Sequence, residues 1–131
     1  MLVSAAAIWI GTNQFQSRLS DGNRASRNSE ANAYYERALL FGGAGTSNPE
    51  QAQRMIERAL ALDPSFAAAR AENAFFQVAG ILNGRSNDAS VFYKAEAEIR
   101  RALQDDPRCG RAHSVLGLIY LLQGRKESRH R

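Results

Sequence analysis

The sequence predicts an all-α fold made of tandem antiparallel helical hairpins. Three observations carry that expectation. After residue 28, apolar residues recur at three- and four-residue spacing, the period of one helix face. The same punctuation is written twice, "RALALDP" ending at Pro64 and "RALQDDP" ending at Pro107, 43 residues apart. That interval falls within the range of helical repeats, whose units bury a core only by stacking. The composition agrees: 131 residues, 44% apolar and 23% charged, with only three prolines. This is an ordinary globular balance with room for one domain.

Residues 1–15 form a short apolar N-terminal segment. Its run Leu2 to Ile10 is shorter than the roughly 20 residues a bilayer span requires. It lacks the basic flank and cleavage site of a secretory signal. Trp9 followed by polar residues has the look of a membrane exit. Two readings therefore stand: a loosely docked helix, or the end of a membrane helix whose first half lies upstream. Membrane contact is accordingly open for the residues before Gly11, and the location is either cytoplasmic or membrane-anchored. Residues 16–28, "QSRLSDGNRASRN", carry no apolar period and read as a polar linker.

Residues 29–124 are the helical domain. The first helix is expected over Ser29 to Phe41, with Ser29 as its cap and an apolar stripe through Ala31, Tyr34, Tyr35, Ala38, Leu39 and Phe41. "GGAG" ends it. The second begins at Asn48 or Ser47 as cap, with Pro49 at the first helical position and Glu50 at the positive helix end. It stops at Asp63-Pro64, because proline disfavours helical geometry in the residue before it. The third, Phe66 to Leu82, is apolar on more than one side and should be the most buried. "NGRSND" is a loop, with Asp88 a candidate cap. The fourth, Ala89 to Gln104, repeats the second and ends at Asp106-Pro107. The fifth runs Gly110 to Leu122. Residues 125–131 are a basic tail, expected to be solvated and mobile.

The motifs for chemistry are weak. Cys109 and His113 could share a helix face, but the only other histidine is His130, too few for a zinc set. His113 reads as packed or half-exposed, and Cys109 as a small buried filler. Glu72, Glu96 and Glu98 read as plain surface carboxylates, without the cleft that paired acid–base work needs. "GGAG" lacks the lysine and the strand-to-helix setting of a phosphate loop. No catalytic, cofactor-binding or metal-binding residue is assigned, and no small-molecule substrate is implied.

The helices resemble tetratricopeptide repeats (TPR). Ala52, Ile56, Ala59 and Pro64 fit the second-helix signature of that family, and Ala95, Ile99, Ala102 and Pro107 fit it again. Tyr34, Ala38 and Phe41 fit the first-helix signature. His113, Leu116, Gly117 and Tyr120 fit it with histidine at a position where tryptophan is common. The middle match, Arg70, Asn73, Ala74 and Gln77, is weakest. The resemblance implies a TPR-like α-solenoid of about two and a half repeats, the last lacking its second helix. Leu118, Ile119, Leu121 and Leu122 would then leave an apolar face partly uncovered. Less specifically, "AYYERALLFGGAG" and the sequence after it resemble the repeat region of bacterial membrane-linked signalling proteins. There the repeats follow a kinase, cyclase or winged-helix domain, and sometimes a TolB-like part.

The resemblance implies a non-catalytic protein-interaction module that binds a peptide or partner helix in a concave groove. Carried over by position, the lining is Asn32, Tyr35 and Leu39; Ala68, Ala71, Phe75 and Val78; and Arg111, Ser114, Leu118 and Leu121. Tyr35 and Leu39 stand where chaperone-binding members carry lysine and asparagine, so an apolar segment is the expected ligand. Two alternatives are self-association as a homodimer through the unpaired last helix, and weak nucleic-acid binding from the net charge of +4. Nucleic acid is disfavoured, because no basic face accumulates.

Overall fold

The computed structural model describes residues 24–42 and 48–129, the side chains of 125–129 excepted. The apolar N-terminal segment, most of the linker, most of "GGAG" and His130 lie outside these residues. The described residues form five helices and no strand: α1 Ser29–Phe41, α2 Pro49–Leu62, α3 Ala67–Leu82, α4 Ser90–Asp105 and α5 Gly110–Arg129.

The two Asp-Pro joints are built alike. Asp63 closes α2 with φ −141° and ψ 93°, and Asp106 closes α4 with φ −144° and ψ 94°. Each aspartate donates its N–H back to an alanine carbonyl, Ala59 at 2.9 Å and Ala102 at 2.8 Å. Each then folds its carboxylate onto the backbone two residues on, accepting from Ser65 N at 3.1 Å and Arg108 N at 3.2 Å. Aspartate suits the joint because its short side chain can make that local turn. The residue that follows each joint into the next helix, Phe66 or Cys109, is buried.

Several boundaries differ from the sequence expectation. Asn28, not Ser29, caps α1, its side chain accepting from Ala31 N at 3.0 Å. The shift follows from amide geometry, since Asn28 stands three residues before the amide it serves. Asn48 caps α2 as expected. Asp88 does not occupy the cap position of α4, which falls to Ala89, but its carboxylate accepts from Ser90 N at 2.9 Å. The last helix continues through the basic stretch to Arg129 instead of stopping at Leu122. Gly124 does not terminate it, because only Gly84 among the described residues takes a positive φ, 71°. Gly84 ends α3 by a Schellman turn, with Arg85 N on Gly80 O at 2.8 Å and Gly84 N on Ile81 O at 3.1 Å.

The end of the linker is also ordered onto the helices. Ser26 and Asn32 exchange two hydrogen bonds, Ser26 N to Oδ1 at 2.8 Å and Nδ2 to Ser26 O at 2.7 Å. The Ser26 hydroxyl donates to the Asp63 carboxylate, tying the incoming chain to the first joint. That bond is the main reason the Asp63 carboxyl is held below its usual range.

α1 packs on α2 and α3 on α4, while α3 also contacts α2 and α5, and α5 contacts α4. α1 and α2 run antiparallel: Asn48 N reaches Phe41 O at one end of the pair, and Arg58 meets Tyr34 toward the other. As expected, α3 is the most buried helix, with Ala67, Ala68, Ala69, Ala71, Ala74 and Val78 in the core. The contacts are made by small side chains. Ala38, Ala52, Ala59, Ala74, Ala95 and Ala102 are all fully buried, beside Ile56 and Ile99. A methyl is what fits between these axes, so Ala74→Leu should destabilise the fold by about 1–3 kcal/mol. Ala97→Leu, on the exposed face of α4, should stay within about 0.5 kcal/mol of the parent. Chemical denaturation of the two variants checks the difference.

Candidate functional site

α1, α3 and α5 each carry a small residue at one register, Ala38, Ala74 and Gly117. Counting back six residues gives Asn32, Ala68 and Arg111; counting back three gives Tyr35, Ala71 and Ser114. One residue on stand Leu39, Phe75 and Leu118. Four residues on stand Val78 and Leu121, which completes the eleven expected groove residues, and they do not share one fate.

On α1 and α3 the N-terminal part of the expected groove is closed. Asn32 is occupied by Ser26. Ala68 and Ala71 are buried, and so is Val78 further along. These three are corrected from groove lining to core. The reason is their position on α3, the helix hemmed in by α2, α4 and α5. A methyl or isopropyl there is too short to reach past its neighbours.

Across the closed half lies a polar cluster that sequence reasoning misread. Glu72 is not a surface carboxylate; it is 5% exposed. Arg111 grips it with two parallel bonds, Nε to Oε2 at 2.7 Å and Nη2 to Oε1 at 3.0 Å. The fork geometry of guanidinium matches a carboxylate in this way, and lysine would not. The same guanidinium lies over the Phe75 ring, 4.6 Å from its centroid. Tyr35 reaches in from α1 and tilts against Phe66 at 5.1 Å. Its phenol is pushed up to about 12, first by burial and then by the nearby Glu72 carboxylate. The only sequence signal for this cluster was the register itself, which sets Glu72 beside Ala71 and Arg111 on the neighbouring helix. Glu96 and Glu98 are likewise half-buried and paired, Glu98 with Arg70 at 2.8 Å and Glu96 with Arg100 at 2.8 Å.

The other half stays open. Leu39 is 45% exposed and Leu121 54%, with Phe75 and Leu118 half-buried between the core and solvent. Ser114 is exposed, its hydroxyl donating to Gly110 O. The open remainder is thus an apolar strip, anchored by Leu39, Phe75 and Leu118 at one register of three helices. Ile119, expected near an uncovered face, is fully buried. His113 is exposed, neither packed nor half-exposed, with Nε2 2.9 Å from Pro107 O. Cys109 is buried, and burial raises its thiol pKa.

A second concavity of about 430 Å³ lies between residues 24–28 and the two Asp-Pro joints. Arg24 and Arg27 face Asp63, Asp105 and Asp106 around it, so its charges offset one another. Among the described residues, no three His, Cys, Asp or Glu side chains are grouped to hold a metal, and no helix is long and apolar enough to cross a membrane.

The half-buried Tyr35 phenol has a pH signature. Folding raises the Tyr35 pKa above the 10.0 of a free tyrosine, so the folded state holds that proton more tightly. The associated stability is complete below about pH 10 and is lost as pH climbs toward 12. Ultraviolet titration should show one tyrosine ionising late, and Tyr35→Phe should remove that step and flatten the alkaline loss of stability. No family model matches this chain, and no match was found among curated proteins or solved structures.

Proposed function

We propose that this chain is a non-catalytic, TPR-like interaction module that binds an apolar peptide segment on the strip formed by Leu39, Phe75 and Leu118. The observation that carries the reading is the coincidence of register and exposure. Three large apolar residues stand at the same position of α1, α3 and α5 and keep part of their surface in water. A residue placed only for packing has no reason to repeat its exposure from helix to helix. Leu121 extends the strip, and Arg111 at its inner edge is committed to Glu72. Its ligand contacts are therefore apolar, and the chemistry favours an aliphatic or aromatic side chain seated against Phe75.

The titratable groups of the cluster act structurally in this reading. Glu72 is held by its fork partner, and the half-buried Tyr35 phenol packs on Phe66 beside Glu72 and Arg111. Selection from a displayed random-peptide library tests the proposal. Enriched peptides should share apolar anchors, and Leu39→Asp or Leu118→Asp should weaken them by about tenfold or more. Absence of saturable binders, or binders indifferent to both substitutions, would overturn it.

A further inference from the structure

The two Asp-Pro joints are alike in backbone and unlike in what their carboxylates hold. Asp63 accepts on both oxygens. Ser65 N and Oγ reach Oδ1 at 3.1 and 2.8 Å, and the Ser26 hydroxyl donates to Oδ2. Asp106 keeps only the local turn, Arg108 N to Oδ1 at 3.2 Å. Among the described residues no hydrogen bond reaches its Oδ2, although Asp106 is only 6% exposed. That oxygen is not one of the sealed, unpaired side-chain atoms, so it opens on the concavity of about 430 Å³ that Asp106 lines. A largely buried carboxylate is costly unless something donates to it.

Opposite charges line the same concavity without meeting. Arg24 and Arg27 belong to the strap of residues 24–28, which Asn32 holds through its two bonds with Ser26. Asp105 and Asp106 stand at the end of α4. Among the described residues, neither arginine forms an ion pair with a carboxylate. Leu62, Phe66 and Ala67 add an apolar part to the lining. The volume lies within the roughly 300–1,000 Å³ of small-molecule sites. We propose that this concavity binds a small zwitterion of dipeptide size, its ammonium donating to Asp106 Oδ2 beside Asp105 and its carboxylate held by Arg24 and Arg27. The ammonium repeats at the second joint the bond that Ser26 makes at the first. The guanidinium fork suits the carboxylate end. A polypeptide running through the concavity would bring neutral amides to both poles, whereas a short peptide with free ends brings one charge of each sign. This inference rests on the joints and the strap, and does not depend on a peptide occupying the Leu39 strip.

The test titrates the full chain by calorimetry with the dipeptide alanyl-leucine, free at both ends, and with free leucine as a second probe. Saturable binding of the dipeptide is expected. N-acetylation, C-terminal amidation, Asp106→Asn and Arg27→Gln should each weaken it about tenfold or more. Both variants should fold, because asparagine keeps the oxygen that accepts from Arg108 N and Arg27 is exposed. Both should also retain peptides selected on the Leu39 strip, which separates failure here from failure there. Tighter binding of leucine with the same sensitivity to the two substitutions supports the site and makes a free amino acid its source of charge. No saturable binding of either probe overturns the proposal, including the case in which a segment of this chain fills the concavity. Binding indifferent to the blocked ends, or to both substitutions, overturns it as well.

Discussion

Alanine methyls set the distance between the helices, and the remaining features depend on that distance. Ala38, Ala74, Ala52, Ala59, Ala95 and Ala102 are all without exposed surface, and the large residues of the core, Ile56, Ile99 and Ile119, fill the spaces between them. Close axes leave little depth in which to bury anything else. Over most of the central helix a short side chain is covered by its neighbours, which is why Ala68 and Ala71 are core although their positions suggest a groove. The same closeness lets Tyr35 on α1 feel a carboxylate on α3 and a guanidinium on α5. Small residues thus close one half of the presumed groove and leave the other to residues long enough to project.

The charged pairs act within this spacing. Arg70 to Glu98 and Arg111 to Glu72 each join two helices, with one partner of each pair nearly buried. Removing charge from water is costly, so such pairs are weak evidence of net stabilisation. Their geometry is more informative. Arg70 also donates to Pro64 O at 2.6 Å, linking the first joint to α4. These two arginine contacts therefore fix how far each helix slides along the next, a specification that interchangeable alanines cannot supply.

Much of the helical framework was legible because it is written in local chemistry. Asn48 and Pro49 begin α2, and the two Asp-Pro joints end α2 and α4, each by interactions within a few residues. The errors arise where a distant partner decides. Ser29 is an acceptable cap in isolation, but Asn28 is the residue held in place by Ser26 and aimed at Ala31. Glu72 looks like any helical glutamate until Arg111, 39 residues away, is brought against it. The residues of the apolar strip were nameable from register. Which groove positions stay open was not, because exposure depends on what the adjacent helices place overhead.

The closed half bears on the open half through Phe75. Its ring lies under the Arg111 guanidinium, and that guanidinium is held in turn by two bonds to a buried carboxylate. A ring pinned on one face has few rotamers left to lose when a ligand covers the other. Ordering a side chain on binding costs affinity, so a surface whose central aromatic is already fixed binds more tightly for the same contact area. Leu39 and Leu118, on the flanking helices, are free of any such restraint by polar groups and can adapt to the shape presented. A rigid centre between adaptable edges favours ligands that agree at one apolar anchor and vary on either side of it. In the proposed interaction, the Glu72–Arg111 pair then has a role in holding Phe75 still.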